Sequence, residues 1–205
     1  GPFPYTPIID RPKLSWPGGA RLALWVVPNI EFFPFDENVP GGIGRAPDVI
    51  NWSPRDYGCR IGIFRIMEVL KKHGVRGTVA LNSEVCDEHP RIIEECIKLD
   101  WEFMGHNQSN SRTFNEVPDD DQRQVVLDTF ARIEAATGSR PLGWLGAGLA
   151  ENWNTLDYLV EAGCRYVCDF VNDDQPYLMD IGGKQLVSIP YSSECNDFGA
   201  FMRMG

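Results

Sequence analysis

Short apolar runs alternate with amphipathic stretches along the chain. Residues 21–27 (RLALWVV) follow Pro17-Gly18-Gly19 and read as a buried strand. Residues 28–54 are dense in Pro, Gly and Asn and read as a long loop, a length that within a domain often accompanies function. Residues 60–72 set Ile61, Phe64, Met67, Val69 and Leu70 at helical spacing. Lys71 and Lys72 suit the negative end of that helix, and Gly74 its cap. The alternation then repeats. Strands are predicted at 76–81, 101–104, 142–145 and 165–169, and helices at 90–99, 119–137 and 155–162. Residues 177–181 and 184–190 read as a hairpin around Gly182-Gly183.

Strands alternating with helices predict βαβ units, a parallel sheet and right-handed crossovers. A barrel and an open doubly wound sheet both satisfy that order. The first strand is followed by neither GxGxxG nor GxxxxGK[ST], which argues against a nucleotide-binding sheet. A chain of 205 residues suffices for one core, so residues 1–205 are taken as a single domain with an extended segment at 1–20. A formal charge of −10 repels phosphate backbones and anionic lipid, which excludes nucleic acid and membrane surfaces as partners. No apolar run is long enough to span a bilayer. The six cysteines are scattered without a CxxC pair, and residues 1–17 carry no charged-then-apolar targeting pattern. Reduced cysteines and a cytoplasmic location are expected.

Candidate chemistry gathers where the predicted strands end. Strand one runs out in Pro28-Asn29-Ile30-Glu31, and the second in Asn82-Ser83-Glu84. The third ends in Gly105-His106-Asn107-Gln108-Ser109-Asn110, the fourth in Gly146-Ala147-Gly148. The fifth ends in Asp169, before Asn172-Asp173-Asp174, and the hairpin in Pro190-Tyr191-Ser192. In a parallel barrel these ends share one rim, where barrel active sites are built. His106 directly follows an apolar strand and a glycine, and imidazole serves as metal ligand or acid/base near neutral pH; the alternative is a hydrogen-bonded structural histidine. Glu31 is costly to bury alone, so it is either a ligand, base or substrate anchor, or the partner of Arg55 or Arg60. Asp173 and Asp174 are either site residues or a solvated turn. Phe32, Phe33, Phe35, Trp52 and Tyr57 either wall a pocket, form an oligomer contact or pack the loop. His73 and His89 read as surface residues.

These residues resemble the polysaccharide-deacetylase (NodB-like) family over nearly the whole chain, in the branch that includes metal-independent allantoinases and peptidoglycan-deacetylase-like proteins. The carrying segments are Val27-Pro28-Asn29-Ile30-Glu31, Arg55-Asp56-Tyr57-Gly58, Gly105-His106, Pro141-Leu142-Gly143-Trp144, Asn172-Asp173-Asp174-Gln175-Pro176-Tyr177 and Ile189-Pro190-Tyr191. The resemblance implies an α/β fold, a distorted parallel (β/α) barrel of the NodB type. The family pattern continues through a further helix and a strand carrying a histidine, so a barrel truncated at its C-terminal end is expected.

The resemblance also implies hydrolysis of a non-peptide C–N bond in a small-molecule amide, ureide or N-acetyl sugar. It gives Glu31, His106 and Asp173 catalytic roles, and Asn29, Asn110, Asp174 and Tyr191 substrate-binding ones. Metal-dependent relatives hold zinc or a similar ion, and Glu31, His106 and Asn110 stand where its ligands would be. Asn29, in the place of a basic aspartate, cannot take a proton, and an amide oxygen at Asn110 is a poor zinc ligand. No cofactor is therefore firmly implied, with a divalent metal such as zinc as the open alternative. A homo-oligomer is expected, and a catalytically inactive carbohydrate- or small-ligand-binding barrel is the competing function.

Overall fold

Val79, Leu81, Phe103, Trp144 and Val167 occupy alternate strand positions, so one face of a sheet collects them while their neighbours turn to the other. The computed structural model of the protein describes residues 2–3 and 5–202. Seven strands form the sheet: β1 (Asn29–Ile30), β2 (Thr78–Leu81), β3 (Glu102–Gly105), β4 (Gly143–Trp144), β5 (Tyr166–Val167), β6 (Tyr177–Ile181) and β7 (Lys184–Ser188). Their order is β1-β2-β3-β4-β5-β7-β6, parallel throughout except for the β6–β7 hairpin. The helices are α1 (Val49–Tyr57), α2 (Ile63–Lys72), α3 (Val85–Glu88), α4 (Pro90–Lys98), α5 (Asp119–Thr137) and α6 (Thr155–Glu161).

Helices α2, α4, α5 and α6 bury their apolar faces on the same side of the sheet. Met67, Ile92, Ile93 and Ile133 pack on Val79, Leu81 and Phe103, while Val126, Phe130 and Leu159 pack on Trp144 and Val167. The other face carries Ala80, Met104, Leu145 and Cys168, covered by Trp25, Val27, Ile189 and Tyr191 rather than by a helix. One outer layer of helices around one inner layer of side chains is barrel geometry; a doubly wound sheet has helices on both faces. The protein thus has the expected α/β barrel-type fold, although β1 and β6 do not pair with each other among the described residues.

Trp144 is the centre of the outer layer. It is fully buried, with Phe114 stacked at 5.7 Å and Phe130 at 6.0 Å between ring centroids. Gly105, its cross-strand partner, leaves the room: a Cβ there would lie 2.7 Å from the indole. The edge strand β6 is partly covered by the N-terminal segment. Asp180 N donates to Pro2 O at 3.1 Å, and Phe3 meets Phe170 and Tyr177 edge-on. This limits the open edge that a partial barrel exposes.

The first strand departs from its expected place. Leu22 and Leu24 are 78% and 74% exposed, and pairing begins only at Val26, which bridges Gly77, before β1. The run 21–27 is apolar enough for a strand, but pairing with β2 puts the ladder further along. The expected loop 28–54 contains most of α1, which Asp48 caps by accepting from Asn51 N at 3.3 Å. A π-helical turn at Gly58–Gly62 joins α1 to α2. The other predicted strands and helices agree with the structure to within three residues.

Phe130→Ala is expected to lower unfolding free energy by about 3–5 kcal/mol, since it removes one side of the Trp144 stack and leaves a cavity. Urea denaturation checks this; a loss below about 1 kcal/mol would show that the stack is not central.

Candidate functional site

Asn82 follows β2 directly and is fully buried. Its Oδ1 accepts from Phe32 N at 2.8 Å. Its Nδ2 donates to His106 O and, at 2.9 Å, to Asn110 Oδ1. One amide thereby ties the chain leaving β1 to the chain leaving β3. Two backbone bonds reinforce the tie: Asn110 N to Phe32 O and His106 N to Leu81 O, each at 3.0 Å. Asn107 does the same for the next loop. It adopts φ 57°, a left-handed conformation that Asn tolerates, and its Oδ1 accepts from Ala147 N at 2.9 Å.

The result is a fixed His106. The side chain is 3% exposed, and Nδ1 bonds the carbonyl of Leu145 at the end of β4. A carbonyl only accepts, so Nδ1 carries a proton, and in the neutral tautomer that this selects the lone pair lies on Nε2. Nε2 has no hydrogen-bond partner and lies 3.7 Å from Glu31 Oε1. Glu31 itself is one-third exposed and is paired with neither Arg55 nor Arg60. Arg60 pairs with Asp56, while Arg55 donates to Asn51 O and lies over the Phe33 ring. Behind Glu31, the Cys59 thiol donates to its carbonyl at 3.3 Å, and burial pushes that thiol up to about 11.

Tyr191 closes the inner end. Its hydroxyl accepts from Asn29 Nδ2 at 3.2 Å and Asn196 Nδ2 at 2.8 Å, which leaves its own proton to donate. Burial pushes the phenol up, with the Glu31 charge adding to the shift, so it stays protonated at neutral pH. Glu31, His106, Asn29, Asn110 and Tyr191 are therefore brought together. Asp173 and Asp174 have other surroundings. Asp173 pairs with Arg11 of the N-terminal segment at 2.6 Å and accepts from Gln175 N at 3.0 Å, and the guanidinium holds its carboxyl below the usual range. Asp174 is exposed.

A cleft of about 590 Å³ opens beside Glu31. Phe32, Phe33, Phe35 and Trp52 line it with Arg55; Tyr57 instead accepts from Arg65 at 2.9 Å, outside that lining. Trp52 Nε1 donates to Phe33 O at 2.7 Å, so the aromatic residues both wall the cleft and fasten their own loop. His73 is exposed, and His89 packs edge-on against Phe32 at the cleft margin.

Residues 56–167, more than half of the chain, match the family model described as polysaccharide deacetylase. The chain belongs to the polysaccharide deacetylase family. No curated protein matches its sequence. Among solved structures, this family member resembles PuuE allantoinase with a TM-score of 0.81 at 24% identity, over 94% of this chain and 70% of that one. A protein from Mycobacterium smegmatis, assigned as a polysaccharide deacetylase, gives 0.78 at 22%, over 90% and 64%. A third, from Pseudomonas aeruginosa PAO1 and similarly assigned, gives 0.78 at 24%, over 90% and 67%. The chain thus spans about two thirds of the length of these structures, and at such identities the likeness establishes the fold.

The family's metal can be tested against the donors present. Asn110 Oδ1 is already engaged by Asn82, which leaves Glu31 and His106. Among the described residues no group of three His, Cys, Asp or Glu side chains gathers to hold an ion. Two protein donors fall short of the three or four that zinc takes, so the residues present do not fit a zinc centre.

Sequence reasoning put Asn82 and Asn107 at strand ends but gave them no role; the available signal was an amide directly after an apolar strand. Asn82→Ala is expected to destabilise the protein by more than about 2 kcal/mol, because buried backbone groups at Phe32 and His106 lose their partners. Asn82→Asp should be worse, since a carboxylate has no N–H for His106 O or Asn110 Oδ1. Chemical denaturation of both variants checks the order.

Proposed function

We propose that the protein hydrolyses a carbon–nitrogen bond other than a peptide bond, in a small cyclic amide, ureide or N-acetyl compound. The observation that carries this reading is the Glu31 carboxylate 3.7 Å from the bare, buried Nε2 of His106. A water held between them gives one proton to Nε2 or to the carboxylate while its oxygen attacks the carbonyl carbon. The Tyr191 hydroxyl, free to donate, stabilises the oxygen that becomes negative. The proton then returns from His106 or Glu31 to the departing nitrogen, and the C–N bond breaks. Asn29 Oδ1 and Asn110 Nδ2 are left to meet the N–H and C=O groups of the substrate.

A small ring substrate is favoured over a polymer by the aromatic side chains that wall the cleft beside Glu31. The competing reading, a binding barrel without catalysis, draws support from the amides at Asn29 and Asn110, which supply no base. The unpaired cysteines suit a reducing, cytoplasmic compartment. No helix among the described residues is long and apolar enough to cross a membrane. We further propose a homo-oligomer, for which exposed apolar side chains such as Leu22 and Leu24 offer contact surface.

Hydrolysis of allantoin, succinimide and N-acetylglucosamine oligomers by the full-length protein tests the function, with elemental analysis and chelator treatment alongside. Turnover of at least one of these is expected, and it should fall by at least ~100-fold in Glu31→Gln and in His106→Ala without loss of fold by circular dichroism. Absence of turnover in wild type, with ligand binding unaffected by either substitution, would favour the binding barrel. Retained turnover in Glu31→Gln would remove Glu31 from the mechanism.

A further inference from the structure

The peptide that holds His106 is itself held by an acid. Leu145 O accepts a hydrogen bond from His106 Nδ1, and the N–H of the same peptide unit, on Gly146, donates to Asp169 Oδ1 at 2.6 Å. Asp169 follows β5, so this unit joins the ends of β3, β4 and β5. Across from Asp169 stands Glu151, from the segment between β4 and α6. Asp169 Oδ2 and Glu151 Oε1 are shut off from solvent, and neither meets a donor, although each residue keeps part of its surface at the rim.

No cation among the described residues contributes to either carboxyl. The titratable neighbours are Cys164 and Cys168, on either side of β5, both pushed up by burial and so neutral. The nearby indole N–H of Trp144 is buried without a partner. A Cβ on Gly146 would lie 3.1 Å from Asp169 Oδ2 and 3.4 Å from Trp144 Nε1, so only glycine leaves this pocket unstrained. Two enclosed carboxyl groups without a counter-charge cannot both ionise. Burial first, then the charge of Glu151, raises Asp169 well above the usual range; burial raises Glu151 as well.

We propose that Glu151 and Asp169 share a single proton, and that this dyad is the positioning element that fixes the Leu145–Gly146 peptide and, through it, the ring of His106. The positioning half rests on the reading of His106 as catalytic; the shared proton does not. One proton lies between Asp169 Oδ2 and Glu151 Oε1. The other Asp169 oxygen accepts from Gly146 and polarises the peptide, so Leu145 O binds the Nδ1 proton more strongly and Nε2 keeps its lone pair toward Glu31. The dyad also has a pH signature. The folded protein retains a proton that unfolded carboxyl groups release near pH ~4. Folded then binds more protons than unfolded, and stability falls as pH rises through the dyad's titration.

Infrared spectroscopy with 13C-labelled Asp and Glu decides the first half. At neutral pH the wild type is expected to show the carbonyl band of one protonated carboxylic acid. The band should vanish in Glu151→Gln and in Asp169→Asn and persist in Glu31→Gln. No such band in wild type, or its survival in both dyad variants, overturns the shared proton. The loss of stability toward alkaline pH should likewise flatten in Glu151→Gln. Nitrogen-15 NMR of the histidine rings, assigned with His106→Ala, decides the second half. The Nδ1–H form is expected in wild type and a mixture of tautomers in Asp169→Ala. On a substrate that is turned over, kcat should fall by about 10–100-fold with KM little changed. An unchanged tautomer in folded Asp169→Ala overturns the positioning role. If no substrate is hydrolysed, the proposed function fails while the infrared and NMR results still decide the dyad.

Discussion

Three strand ends are locked together by one buried amide, that of Asn82. It accepts from the loop after β1 and donates to two points on the loop after β3. With the backbone bond from Asn110 N to Phe32 O, it joins the loops that carry Glu31 and His106, which approach to 3.7 Å. A neutral amide suits the place. It supplies both acceptor and donor inside a dry environment without the desolvation cost of a charge. The neighbouring loop repeats the device with Asn107, so the rim of the barrel is built on amide-to-backbone bonds.

This choice has a chemical consequence. The positions at which the family resemblance places a base and a second metal ligand, Asn29 and Asn110, are amides here. Each is engaged, Asn29 with Tyr191 and Asn110 with Asn82. What remains free to act is a carboxylate, an imidazole nitrogen and a phenol proton. The ring of His106 is pinned through Leu145, and the carbonyl of Leu145 belongs to the peptide that Asp169 grips. The proposed catalytic face and the proposed Glu151–Asp169 dyad are therefore two ends of one hydrogen-bonded chain.

The periphery shows how a sheet that does not close on itself can still be capped. Pro2 and Phe3 lie along β6, and Arg11 of the same segment captures Asp173. The residues following Asp169 thus contribute an anchor for the N-terminal segment, in which the Asp173 carboxylate is held by Arg11.

The amino-acid pattern by itself determined most elements, their α/β alternation and the rim on which polar residues collect. Those features follow from local periodicity: runs of Val, Leu and Phe make strands, and helical spacing with caps makes α2, α4, α5 and α6. It also singled out Glu31 and His106, since a charge or an imidazole next to an apolar strand is rarely idle. Where β1 begins was decided by pairing with β2, since the exposed Leu22 and Leu24 are as apolar as any strand residue. The helix inside the loop at 28–54 was hidden by Pro54, which reads as a breaker yet is accommodated within α1. The partners of Asn82, the capture of Asp173 by Arg11 and the meeting of Glu151 with Asp169 emerged only in three dimensions. Each joins residues distant in sequence or on separate elements, and a hydrogen bond or a shared proton is fixed by ångström-scale placement that no local pattern encodes.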